Sequence, residues 1–85
     1  MTRSEISAKI RAFVVSNFYV AVAGALSDEA SLLDQGVIDS TGVLEVVGFL
    51  EQEFGVQVAD DEMVPDNLDS ISRIAAYVER KSAKA

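Results

Sequence analysis

Cysteine, histidine and tryptophan are all missing from this 85-residue chain, and proline occurs once. Without thiols there is no disulfide framework and no thiolate metal site. Without imidazole the chain lacks the commonest general base and the commonest nitrogen ligand for metals. Carboxylates and lysines remain, a poor inventory for catalysis, so the chain is not expected to be an enzyme. No catalytic or metal-ligating set is assigned. Long apolar runs are lacking too: the longest, from Phe18 to Leu26, falls far short of a bilayer span. The start, Met1-Thr2-Arg3-Ser4-Glu5, has no signal-peptide core, and a cytoplasmic location is expected. Basic residues are scarce. Seven Lys and Arg stand against fourteen Asp and Glu, for a formal net charge of −7. Such a field repels nucleic acid and anionic membrane and favours partners with Lys- and Arg-rich faces. Acidity that serves solubility alone explains the same charge.

What is present is 49% apolar, which argues against disorder. The length accommodates one domain, residues 1–85. A chain of this size buries roughly 60–65% of the surface its unfolded form exposes, enough for modest stability without staples.

Thr2-Arg3-Ser4-Glu5 has capping-box spacing, with Thr2 as cap and Glu5 reaching back. Ile6, Ile10, Phe13 and Val14 follow at helical intervals, continued by Asn17 or Phe18, and predict a helix over about 3–18. Lys9 and Arg11 fall on its polar side. Tyr19 to Ile38 reads as a long loop with buried anchors and room for a helical turn at Glu29–Leu33; loops this long in small domains are usually functional. A second helix is predicted over about 40–54, with Leu44, Val47, Leu50 and Phe54 along one inward stripe and Val43 and Val46 beside it. Glu45, Gln52 and Glu53 lie away from that stripe. Asp39 suits its N-cap, and Gly55 suits a left-handed stop. Asp60-Asp61-Glu62 starts a short helix ended near Val64 by Pro65. The last helix, capped by Asp69 or Ser70, carries Ile71, Ile74, Ala75 and Val78 inward and Arg80 and Lys81 near its end. Ser82–Ala85 should fray. With no period-2 strand, repeat or linker, the pattern predicts an all-α fold. It is a small four-helix bundle of three longer helices and one short one, with a long loop between the first two.

Within this pattern, Gly36-Val37-Ile38-Asp39-Ser40 runs straight into Thr41-Gly42-Val43-Leu44-Glu45. A hydroxyl at the mouth of a helix lies beside unpaired N–H groups and the positive end of the dipole, where an esterified phosphate is favoured. The Asp-Ser pair alone reads most simply as capping. The upstream glycine, the length of the helix that follows and the size of the chain reverse that balance. The other eight serines lack this setting; Ser70, after Asp69, is the nearest rival and reads as the cap of the last helix. Ser40 is therefore read as an attachment point. With no Lys or His near it in sequence, activation of its hydroxyl must come from another enzyme.

On these residues the chain resembles acyl carrier proteins and the related peptidyl and D-alanyl carrier domains, from the first helix to Val78. The most specific part is Leu33-Asp34-Gln35-Gly36-Val37-Ile38-Asp39-Ser40, followed by a helix ending Leu50-Glu51-Gln52-Glu53-Phe54-Gly55-Val56. The resemblance implies 4′-phosphopantetheine, taken from coenzyme A, on Ser40, with an acyl group carried on its thiol as a thioester. It matches Asp39 to the acidic residue before the serine and Glu45 to an acidic partner contact; Val43, if partly exposed, offers an apolar docking spot. The implied partners are a phosphopantetheinyl transferase and acyl-loading or acyl-using enzymes with basic surfaces, in fatty acid or polyketide biosynthesis. A loosely packed interior would shelter an acyl chain. Thr41 and Gly42 depart from fatty-acid carriers, which often have Leu or Met and then an acid. The Gly-x-Ile-Asp-Ser pattern looks closer to D-alanyl and other stand-alone carriers. Two alternatives therefore stay open: an aminoacyl cargo such as D-alanine, and an unmodified acidic helical adaptor in which Ser40 only caps. The Asp60-Asp61-Glu62 cluster lacks calcium-loop spacing and reads more simply as an acid-rich helix start. A monomer is expected, since assembling the bundle uses the apolar faces.

Overall fold

The capping box at Thr2 forms as its spacing predicts. Thr2 Oγ1 accepts the Glu5 N–H at 3.2 Å, and the Glu5 carboxylate accepts the Thr2 N–H at 2.9 Å. The Thr2 N–H, with the Thr2 hydroxyl beside it, favours the ionised form and holds the Glu5 carboxyl below its usual range. From this cap α1 runs over Arg3–Asn17. The computed structural model describes residues 2–18 and 26–84; the apolar start of the long loop, Tyr19–Ala25, lies outside the described residues. Next comes α2, Ser40–Phe54, capped by Asp39 and closed by Gly55 at φ 69°, ψ 20°. A 3-10 turn, Asp60–Glu62, precedes the short α3, Pro65–Leu68, and α4 covers Ile71–Lys84. The described residues are helices and turns, without strands.

Two local expectations are corrected. Residues 29–33 form no helical turn; the chain makes successive reverse turns, including Ala30 N–H to Ser27 O and Gly36 N–H to Leu33 O. Pro65 does not end a helix begun at Asp60. It occupies the first turn of α3, where its fixed φ and missing N–H cost nothing. Of the two caps offered for α4, Ser70 is used: its Oγ accepts the Arg73 N–H at 3.0 Å. α4 extends as helix through Lys84.

The core is centred on α4. Ile71, Ile74, Ala75, Tyr77 and Val78 are each at most 1% exposed. They meet Ile6, Ile10 and Val14 of α1, Val46, Val47 and Leu50 of α2, and the loop anchors Leu26, Leu32 and Ile38. Each aliphatic side chain buried so fully contributes about 1.5–3 kcal/mol before entropy is counted. Between α1 and α2 the Phe13 and Phe49 rings stack at 4.2 Å, flanked edge-on by Phe18 and Phe54. The Lys9–Glu53 ion pair at 3.0 Å joins the same two helices.

Candidate functional site

The approach to Ser40 is built by backbone hydrogen bonds converging on three residues. Ser31 O accepts the Gln35 N–H, Leu33 O the Gly36 N–H, and Leu32 O both the Val37 and Ile38 N–H groups. Gly36 makes the reversal at φ 70°, a conformation costly for any side chain. Ile38 then enters the core, 5% exposed, and pins the chain one residue before the cap. Asp39 is extended, and its Oδ1 accepts the Gly42 N–H at 2.8 Å. Gly42 is buried tightly there: a Cβ would lie 3.0 Å from Phe18 and 3.1 Å from Ile38. Ser40 follows as the first helical residue.

This assigns the capping role to Asp39. Ser40 is exposed, and among the described residues no hydrogen bond engages its hydroxyl. Plain capping therefore does not account for the serine. The hydroxyl borders a groove of about 280 Å³. One wall is Val43 and Leu44 of α2; the other is Met63, Val64 and Leu68, with Leu33 of the loop and Asp69 alongside. Leu44, expected on the inward stripe, is 59% exposed. Its angle was the available signal: at 3.6 residues per turn Leu44 lies about 120° round the axis from Leu50, whereas Val43 and Val46 lie close to it. Leu33 and Val64 are also exposed, at 40% and 39%. Contrary to the expectation that bundle assembly uses every apolar face, these three side chains leave an apolar rim beside Ser40.

Charge is segregated around the site. All seven Lys and Arg lie in residues 3–11 and 73–84, whereas every Asp and Glu except Glu5 and Glu79 lies between 28 and 69. The basic helices α1 and α4 therefore clasp the acidic segment. Besides Lys9–Glu53, Arg11 pairs with Asp28, Arg73 with Asp66 at 3.6 Å and Lys81 with Glu62 at 3.0 Å. Glu53 is thereby occupied, and Glu51 accepts the Val58 N–H at 3.1 Å. Glu45, one turn beyond Ser40, is exposed and joins no ion pair among the described residues. Val43 is half-buried on the groove wall.

The groove's far wall is tied to α4 through Glu62. Its Oε1 accepts the Ala59 N–H, the Tyr77 hydroxyl and the Lys81 ammonium, each at 3.0 Å. These donors pull the Glu62 carboxyl down to about 2. Burial, with the same carboxylate beside it, pushes the Tyr77 phenol up to about 12. Of the Asp60-Asp61-Glu62 cluster, Glu62 is thus spent on structure, and the described residues hold no group of acids arranged around a metal. Sequence reasoning missed Asp69, Leu33, Met63 and Val64, whose roles depend on contacts between distant segments. As chemistry, the site offers an exposed hydroxyl whose neighbouring carboxylates, Asp39 and Asp69, are engaged by other donors, in an acidic field, beside an apolar groove. Such a hydroxyl can receive a group.

Residues 8–78 match the protein family described as "phosphopantetheine attachment site". The chain is 29% identical over 80 residues to an acyl carrier protein of Thermotoga maritima, covering 94% of this chain and 95% of that one. It is 33% identical over 75 residues to an acyl carrier protein of Campylobacter hominis, covering 88% and 91% of the two chains. A D-alanyl carrier protein of Abiotrophia defectiva is 33% identical over 55 residues, covering 65% and 70%.

Proposed function

Because the chain belongs to the acyl carrier family of phosphopantetheine attachment domains, non-catalytic carriers with a covalently bound 4′-phosphopantetheine, we propose that Ser40 is the residue that bears this group. The observation that carries the reading is the exposed hydroxyl at the first position of α2, left unused because Asp39 does the capping. The remaining donors at that helix end suit a phosphate ester. In the modification, the Ser40 oxygen forms a bond to the phosphorus that bears the pantetheine. The diphosphate linkage of coenzyme A breaks, its nucleotide part leaves, and the hydroxyl proton passes to a base on the transferase. The bound group supplies a terminal thiol that holds an acyl cargo as a thioester.

The chain's own residues present and steer. Asp39 and Glu45 meet Lys and Arg on a phosphopantetheinyl transferase and on acyl-loading and acyl-using enzymes, which speeds encounter more than it deepens affinity. Val43, with Leu44 next to it, gives these partners an apolar spot, and the adjoining groove shelters an apolar cargo. Tethering makes each later encounter intramolecular. The setting is cytoplasmic; among the described residues no helix is long and apolar enough to cross a membrane. Incubation with coenzyme A, Mg²⁺ and a broad-specificity phosphopantetheinyl transferase, followed by intact mass spectrometry, tests the assignment. One adduct is expected, absent from Ser40→Ala; an adduct that survives the substitution refutes Ser40 as the site. An aminoacyl cargo is the second reading, favoured by the likeness to the Abiotrophia defectiva protein. Loading of the modified chain by an amino-acid-adenylating enzyme in preference to an acyl transferase would support it.

A further inference from the structure

Asp69 lines the groove beside Ser40, yet carrier function as proposed above leaves it without a role. It is not the cap of α4, since Ser70 fills that place. Its carboxylate turns instead to the loop across the groove. Oδ2 accepts the Ser31 hydroxyl at 2.6 Å, and Oδ1 accepts the Leu33 N–H at 3.0 Å. The Asp69 carbonyl accepts the Leu32 N–H at 2.7 Å. One residue at the α3–α4 corner thus holds three consecutive loop residues by their donors. Those same three residues offer their carbonyls to Gln35, Gly36, Val37 and Ile38 on the way to Ser40. The clamp and the approach to the serine are two sides of one short segment.

We propose that Asp69 is a positioning residue for modification of Ser40: it fixes the Ser31–Leu33 segment, and through it the height and direction at which Ser40 and Leu33 face the transferase. The inference rests on Ser40 being the modified residue. Both Asp69 oxygens are engaged by the loop, so Asp69 acts through that loop and takes no part at the reacting atoms. Removing the carboxylate lowers the fraction of chains in which the loop is competent. A competent fraction f raises the apparent dissociation constant by a factor 1/f and leaves the bound state's chemistry alone.

The test compares wild type, Asp69→Ala, Asp69→Asn and Ser31→Ala as substrates of a broad-specificity transferase with coenzyme A and Mg²⁺, with folding checked by circular dichroism. For Asp69→Ala, KM for the carrier should rise roughly tenfold as the competent fraction falls, with kcat unchanged. Asp69→Asn should fall between, because its Oδ1 still accepts the Leu33 N–H. Ser31→Ala loses one bond and should show a smaller rise in KM. Amide exchange should quicken at Gly36 and Val37 and not within α4. An unchanged KM in folded Asp69→Ala, or a loss confined to kcat, overturns the proposal. Should Asp69→Ala fail to fold, an unchanged KM in Ser31→Ala overturns it. A wild-type chain that takes no adduct sinks the Ser40 reading, and this proposal with it; a modified wild type with indifferent variants sinks the clamp alone.

Discussion

Replacing glycine by alanine at positions 36, 48 and 55 makes one chemical change with opposite expected signs. At all three an added Cβ meets nothing within 4 Å, so contacts with neighbours do not separate them. Only backbone conformation does. Gly48 lies inside α2, where alanine is favoured over glycine by about 0.8–1.0 kcal/mol. Gly36 and Gly55 sit at φ 70° and 69°. Holding an L residue there costs about 1–2 kcal/mol, offset by about 0.4–1 kcal/mol from stiffening the unfolded chain. The expected outcome is Gly48→Ala stabilised by about 1 kcal/mol and the other two destabilised by about 1 kcal/mol each. For a domain of this size 1 kcal/mol moves Tm by about 4–8 °C, so the extremes should differ by roughly 10 °C. Thermal unfolding followed by far-ultraviolet circular dichroism, with urea midpoints as a second measure, reads this directly. Three shifts of the same sign, or a destabilised Gly48→Ala, would refute the conformational argument.

The remaining predictions concern packing and charge. Leu50→Ala, in the core, should cost about 2–5 kcal/mol, whereas Leu44→Ala should stay within about 0.5 kcal/mol of wild type. Equal losses in urea unfolding would contradict the outward placement of Leu44. Stability should also fall at both ends of the pH scale. The Glu62 carboxyl goes from 4.5 to about 2 on folding, so its contribution is complete above 4.5 and is lost as pH drops toward 2. The Tyr77 phenol goes from 10.0 to about 12, so the folded state keeps a proton that the unfolded chain releases, and stability is lost as pH climbs between those values. Tyr77→Phe should lessen that loss at the alkaline end, the remainder coming from the Lys81–Glu62 and Lys9–Glu53 pairs as lysine deprotonates. A titration of the urea midpoint in which the variant falls as steeply as wild type between pH 10 and 12 would show that another group is responsible.

Much of the candidate site was legible because its signals are local. The Asp39 cap, the Gly36 turn, the Ser40 position and the Gly55 stop depend on residues within a few places of one another. The periods of Ile6, Ile10 and Val14, and of Ile71, Ile74 and Val78, likewise predict their own helices. Pro65 shows where local reading stops. The same ring ends a helix before it or begins one after it, and only the packing of Leu68 on the core selects the second.

From sequence alone came an all-helical chain with a serine at a helix mouth and an acidic surface, since spacing, capping chemistry and charge are properties of neighbours along the chain. The tertiary structure alone decided that Leu44 faces outward and that Leu33 and Val64 meet it around a groove. It also brought Asp69 to Ser31 across 38 residues and Glu62 to Lys81 across 19. Such contacts join segments whose meeting is set by how α4 buries its apolar face, and no short stretch of sequence contains that information.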